Sequence, residues 1–428
     1  MKKLYILGLM ACSFAACKPN AEPQRPSAGD ADFTRYLAVG NSLTAGFSDG
    51  TLYRDGQMNA YPAMLASQFE TVGGGVFRTP LLPGNDGYPT PKLMLAVRKG
   101  KCDAQNLLLP TPYPGAPDTV GSSRNIADGG PYNNTGIPGI RCIDYIFPGY
   151  GAFNPYSKRF FDKPNSSRPI DEVVKVNPTF FTCWIGSNDV LGYVTAGGGS
   201  TGGAFSGELL FRTAYDTVLS QLTVRGAKGV VMNIPDVLST PFCTTIPARG
   251  LELSKRQADD LNLRYANTGV RFVEGFNHFL IQDGAKFRQI EEGEYVLLSI
   301  PRDSLNCANW GTIKPIPERF ILTHAEADSV RMMTDLFNGI IKSTADGKNI
   351  PVVDMHSYIN TLQTGVAFNG ATYTATYVTG NAFSLDGLHL TQRGYALAAN
   401  HIIATINSYY HSSIPTVDIN KYKGVLFP

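Results

Sequence analysis

Short apolar runs alternate along this chain with longer segments of helical periodicity. The runs are Tyr36–Val39, Phe180–Trp184, Gly229–Ile234 and Pro351–Val353. They are brief, several are β-branched and turn residues follow them, as expected of parallel strands buried on both faces. Between them, Tyr61–Phe69, Glu208–Val224, Ser254–Ala266, Ala325–Ser343 and Thr391–Tyr409 repeat apolar residues at helical spacing. Strand therefore alternates with helix, which predicts an α/β fold with a doubly wound, flavodoxin-like parallel sheet and helices on both faces. Ferredoxin-like and barrel arrangements fit this order less well.

Three stretches break the rhythm. Residues 79–131 are rich in Pro and Gly, 192–207 consist mostly of Gly, Ser, Thr and Ala, and 238–319 hold strand-like pieces of their own. They read as insertions on a single domain spanning about 35–428, because loops at the carboxyl edge of such a sheet commonly shape a substrate site. No repeat of solenoid or propeller period is visible.

The N-terminus carries a separate message. Met1-Lys2-Lys3 precedes an apolar stretch from Leu4 to about Ala16, which is too short to span a bilayer and has the layout of a signal peptide over 1–16. Phe14-Ala15-Ala16-Cys17 resembles the lipobox of bacterial lipoproteins, with Phe14 where Leu is usual. Cys17 would then be the lipidated N-terminus, and the polar segment up to residue 34 a flexible tether. Ordinary signal cleavage beside a chance cysteine is the alternative. Either way the expected location is outside the cytoplasm, and the lipidated form points to the cell envelope, as an outer-membrane lipoprotein whose face stays open.

Composition narrows the classes further. With 43% hydrophobic and 17% charged residues the chain is globular rather than disordered. A net charge of +2, with Lys and Arg scattered, leaves no electrostatic footprint for nucleic acid. After Cys17 there are five cysteines, Cys102, Cys142, Cys183, Cys243 and Cys307. That odd number leaves at least one thiol unpaired, with the pairing open and no C-x-x-C spacing for a metal or redox centre.

Candidate chemistry begins at the end of the first apolar run, in Val39-Gly40-Asn41-Ser42-Leu43. A serine on the tight turn from strand to helix has an exposed hydroxyl and a free backbone N–H, which a nucleophile needs. A serine there could equally cap the helix. Gly40-Asn41-Ser42-Leu43 is similar to the GDSL block of the SGNH hydrolases, with Asn41 for the usual Asp; the change keeps shape and an acceptor oxygen while losing a charge. Asn134-Thr135-Gly136-Ile137-Pro138-Gly139 resembles the family's second block, Gly186-Ser187-Asn188-Asp189 its GxND block, and Asp386-Gly387-Leu388-His389 its DGxH block. On their own, Gly139 could be a turn glycine and Asn188 an Asx-turn residue.

The four blocks occur in the family's order between Tyr36 and Asn407. The resemblance implies the SGNH-hydrolase fold and a serine esterase, with Ser42 as nucleophile, His389 as general base and Asp386 as its orienting carboxylate. It also implies an oxyanion hole from the N–H of Ser42, the N–H of Gly139 and the side chain of Asn188. The spacing of Asp386 and His389 has its own logic, since a carboxylate three residues earlier on one loop can fix the imidazole's tautomer. His278, His324, His356, His401 and His411 lack such a partner at that offset in a glycine-bearing loop. Gly198-Gly199-Ser200-Thr201-Gly202 spells a nucleophile elbow, and with Gly197 a dinucleotide fingerprint, but lacks the strand and helix either requires.

The expected activity is hydrolysis of a carboxylic ester through an acyl-enzyme, with neither metal nor organic cofactor implied. Acetylated glycan and lipid ester both remain open as substrate. A surface lipoprotein that binds glycan or lipid on the same fold without turnover is the alternative from another class. Protein partners and oligomeric state are left open.

Overall fold

A computed structural model describes residues 25–102 and 106–428. The signal segment, Cys17 and the first part of the expected tether lie outside the described residues. Five strands build the central sheet: β1 (Tyr36–Gly40), β2 (Asn134–Gly136), β3 (Phe180–Trp184), β4 (Lys228–Met232) and β5 (Val352–Val353). All neighbours are parallel, in the order β5-β4-β3-β1-β2. That is the doubly wound, flavodoxin-like order, in which the chain reverses direction between β1 and β3.

Strand periodicity of two sorts the side chains onto two cores. Leu37, Val39, Phe181, Cys183 and Val231 face one side, under α4 (Glu208–Thr223) and α6 (His324–Asp346). Tyr36, Ala38, Phe180, Val230 and Met232 face the other, under α2 (Tyr61–Glu70) and α7 (Gln392–Tyr410). Helix starts follow local chemistry: Thr323 and Glu326 form a capping box before α6, and the Thr391 side chain caps α7 by accepting from the Gly394 N–H.

Two elements differ from the sequence pattern. The edge strand β2 has no apolar run; its place comes from Asn133 and Asn134, whose side-chain amides donate to the carbonyls of Tyr36 and Thr44. Within 192–207, residues up to Ala196 belong instead to α3 (Asn188–Ala196), which begins inside the GxND block. The Gly198–Gly202 decoy follows this helix as a short turn.

The tether expected up to residue 34 is also shorter than its composition suggests. The Ser27 carbonyl accepts from Ser413, and Asp30 donates to Tyr410 at the end of α7. Phe33 is buried and stacks on Phe69 with ring centroids 4.1 Å apart. Burying one such ring contributes about 1.5–3 kcal/mol, which adds to the backbone hydrogen bonds in holding this segment down.

The insertion at 238–319 has its own small cores, one around Phe279, Ile281 and Val296, another around Leu253, Leu261 and Phe272, where α5 (Lys255–Arg264) packs. Residues 79–131 contain an antiparallel hairpin, Leu93–Lys99 with Asn106–Pro112. A Cys102–Cys307 disulfide joins this hairpin to the 238–319 insertion, and Cys142, Cys183 and Cys243 are free and buried. Among the described residues no helix is long and apolar enough to cross a membrane.

Candidate active site

At the reversal point between β1 and β3, the carboxyl ends of both strands open into the same region. β1 runs into the short helix α1 (Ser42–Ala45), which starts at Ser42. Its cap is Asn41, whose Oδ1 accepts from the Leu43 N–H at 3.0 Å. Because Asn41 does the capping, the Ser42 hydroxyl is free for another partner. The turn is tight enough to require glycine at position 40, where a Cβ would lie 1.9 Å from Thr44 Oγ1.

That other partner is His389. Its Nε2 lies 2.8 Å from Ser42 Oγ, and its Nδ1 lies 2.9 Å from Asp386 Oδ2. Hydroxyl, imidazole and carboxylate are thus in series, from positions 347 residues apart. Four donors surround the Asp386 carboxylate: Oδ1 accepts from Leu388 N and His389 N, and Oδ2 from His389 Nδ1 and Gly50 N. Burial pushes this carboxyl's pKa upward, but the charge and hydrogen bond of His389 and the backbone donors outweigh it and hold it below the usual carboxylate range. Asp386 therefore stays ionised and can keep a proton on Nδ1, leaving Nε2 as the acceptor facing Ser42.

The residues after Ser42 stitch this loop in place, which the sequence reading missed. Gly50 donates to Asp386, the Asp49 carboxylate accepts from Leu385 N at 3.1 Å and from the Tyr53 hydroxyl at 2.9 Å, and the Asp49 N–H donates to Ser384 Oγ. Burial, with the Asp386 charge nearby, raises the Asp49 carboxyl's pKa. Asp49 has φ +53°, unusual for a residue with a side chain. An acidic residue seven positions after the serine was the available signal, but nothing local tells it from a turn aspartate.

Asn188 opens α3 and lines the same small cavity as Ser42 and His389. One of its two amide hydrogens goes to the Ile140 carbonyl at 2.8 Å, and the second is left for another acceptor. Next to it, the buried Asp189 carboxylate accepts from the Cys142 N–H at 2.6 Å. Its pKa is pushed up to about 6, chiefly by burial. Adjacent residues of α3 thus clamp the 137–143 loop twice.

Gly139 lies within that loop, between Ile137, whose N–H donates to the Gly40 carbonyl, and the Asn188-bound Ile140. It has φ +83°, is exposed and is not among the residues lining the small cavity. Among the described residues, the N–H groups of Ser42 and Gly139 donate to no acceptor. Such unpartnered N–H groups are suited to meet a developing negative oxygen.

The other histidines lie elsewhere. His278 and His356 bond the carbonyls of Ile290 and Ile234, His324 lies 3.6 Å from Glu291, His401 stacks on Tyr358, and His411 pairs with Asp30 at an exposed site. Among the described residues no group of three or more His, Cys, Asp or Glu is placed to hold a metal ion.

Fold and site together define the class, an α/β ester hydrolase. The chain belongs to the GDSL-like lipase/acylhydrolase family, whose model matches residues 36–402. Comparison by sequence with curated proteins finds no match. Among solved structures it is similar to LAE5, an alpha/beta hydrolase enzyme from the metagenome of Lake Arreo, Spain, at 10% identity and TM-score 0.38, covering 88% of this chain and 96% of that one. It is also similar to the acetyl xylan esterase AlAXEase, at 13% identity and TM-score 0.34, covering 86% and 98%. A lipase/acylhydrolase from Enterococcus faecalis matches at 11% identity and TM-score 0.35, covering 89% and 98%. Likenesses this low carry no argument about substrate.

Proposed function

We propose that the chain hydrolyses carboxylic esters through an acyl-enzyme on Ser42. The observation that carries this reading is the pair of hydrogen bonds, 2.8 and 2.9 Å, linking Ser42, His389 and Asp386. Ser42 Oγ bonds to the ester's carbonyl carbon as its proton passes to His389 Nε2, and the carbonyl electrons move onto oxygen. The N–H of Ser42, the N–H of Gly139 and the free amide hydrogen of Asn188 meet that oxygen, each such donor worth about 2.7–4 kcal/mol in the transition state. Collapse breaks the bond to the alcohol oxygen, which takes the proton from His389. Water then repeats the sequence on the acyl-enzyme, releasing the acid and restoring Ser42. Asp386 holds the imidazole and stabilises its charged form throughout.

The substrate is a small-molecule, glycan or lipid ester. The N-terminal pattern supports an exported lipoprotein anchored through Cys17 to the cell envelope. The test of the chemistry is Ser42→Ala: p-nitrophenyl acetate hydrolysis and labelling by a fluorophosphonate should both vanish while the melting temperature holds. Residual turnover above a few per cent of wild type in folded protein would place the nucleophile elsewhere.

A further inference from the structure

Two cavities flank the loop that carries Asp386 and His389, and they differ greatly in size. The one at Ser42 has a volume of about 60 Å³. It is a shallow pocket open to solvent, so it offers buried wall to a short acyl group only. The other, of about 1030 Å³, lies between the Leu93–Pro112 hairpin and the 238–319 insertion. It is at the upper end of the range for ligand sites, and its walls are mainly apolar, with Leu109, Leu251 and Leu305 among them.

The two share a partition one chain thick. Thr240, Leu388 and His389 line the small cavity, while Phe242, Leu385 and Asp386 line the large one. Each segment thus contributes residues to both sides, with the change of side falling between Thr240 and Phe242 and at Gly387. The partition is fastened by the Phe242 N–H donating to the Gly387 carbonyl and the Leu298 N–H donating to the Phe242 carbonyl. The walls of the large cleft are tied as well: the Cys102–Cys307 disulfide and a Lys101–Asp303 ion pair join the hairpin to the segment bearing Leu305. The two walls are thus tied to each other at the tip of the hairpin.

Reaction geometry assigns the cleft a side. The alcohol oxygen must receive its proton from His389 Nε2, so the leaving alcohol lies on the His389 side of the carbonyl carbon, away from Asn188. We propose that the large cleft is the alcohol subsite, so that the enzyme takes esters joining a small acyl group to a bulky, apolar alcohol. This rests on the esterase reading above and deepens it. The acyl group has only the small cavity; the alcohol passes over the rim at Thr240 and Leu388 into the cleft. Polar side chains such as Glu252, Asp260 and Arg302 share these walls, and it is the larger apolar part of the surface that favours an apolar alcohol over a glycan.

Two isomeric esters separate the subsites: hexyl acetate, with its chain on the alcohol, and ethyl hexanoate, with its chain on the acid. Wild-type kcat/KM should favour hexyl acetate by at least about tenfold, since burying even part of a six-carbon chain exceeds that factor. Leu305→Arg and Ile313→Arg each put a charge into the cleft wall, and Ile313 is 40% exposed, so its replacement leaves the fold intact. Both should lower hexyl acetate turnover toward that of methyl acetate and leave methyl acetate unchanged. Equal rates on the isomers, preference for ethyl hexanoate, indifference of hexyl acetate to both substitutions, or higher kcat/KM on acetylated xylo-oligosaccharide would overturn the assignment while leaving the esterase intact. Failure of all these esters, with Ser42 unlabelled by fluorophosphonate, would instead overturn the esterase reading and the subsite with it.

Discussion

Replacing Asp386 by Asn tests how the imidazole is held. All four partners of this carboxylate are donors: the N–H groups of Gly50, Leu388 and His389, and His389 Nδ1. The new amide has one acceptor oxygen and must point its NH₂ at one pair of them. Turned toward Leu388 and His389, it opposes two backbone N–H groups. Turned the other way, it opposes only Gly50 N–H, because His389 can move its proton from Nδ1 to Nε2 and accept at Nδ1. The second arrangement wins, and it puts a hydrogen where Ser42 needs an acceptor. We expect kcat to fall by about 10⁴, as loss of the correct tautomer does in a triad. His389→Ala should cost more, about 10⁶. The facing donors should also lower stability by about 1–3 kcal/mol. Since the Asp386 pKa is depressed, its stabilising contribution is present above the usual carboxylate range and lost as pH falls through the depressed value. The stability gap between the variants should therefore shrink in strong acid. The assay is burst and steady-state kinetics on p-nitrophenyl acetate, with melting temperature on the same preparation. In Asp386→Ala, formate should restore part of the rate by occupying the ring of donors. Folded Asp386→Asn keeping more than about a tenth of wild-type kcat would refute the tautomer argument.

Further outcomes follow from the same contacts. Asn188→Ala should lower kcat by about 10²–10³ with little change in KM, and also lower the melting temperature because the Ile140 carbonyl loses its donor; a lower melting temperature with normal kcat would leave Asn188 a purely structural role. Asp189, with its pKa raised to about 6, is penalised when ionised, so wild-type stability should fall as pH rises from about 4 to 6, by up to ~3 kcal/mol relative to Asp189→Asn; parallel pH profiles in urea unfolding would contradict this. Cys17→Ser should move the protein from the membrane to the soluble fraction, and the native protein should carry the mass of acyl chains; unchanged fractionation would count against the anchor.

Most of the sheet was legible from the chain because its strands are buried on both faces and so read as continuous apolar runs, as in Phe180–Trp184. The edge strand Asn134–Gly136 was not, since amide hydrogen bonds to Tyr36 and Thr44 rather than apolar pattern place it. Likewise Asp386 and His389 announced themselves by lying on one loop, three residues apart. Their distance to Ser42 is a product of topology: the reversal between β1 and β3 brings together groups 347 residues apart. Asn41 illustrates the division. Its side-chain oxygen was readable from the letter, but that it caps α1 and thereby releases the Ser42 hydroxyl depends on backbone geometry. The contacts of Asp49 and Gly50 with the loop that carries Asp386 and His389, and the cleft between the hairpin and the 238–319 insertion, were decided only in three dimensions. Such contacts join segments far apart in sequence, where no local pattern can record which backbone N–H will meet which carboxylate.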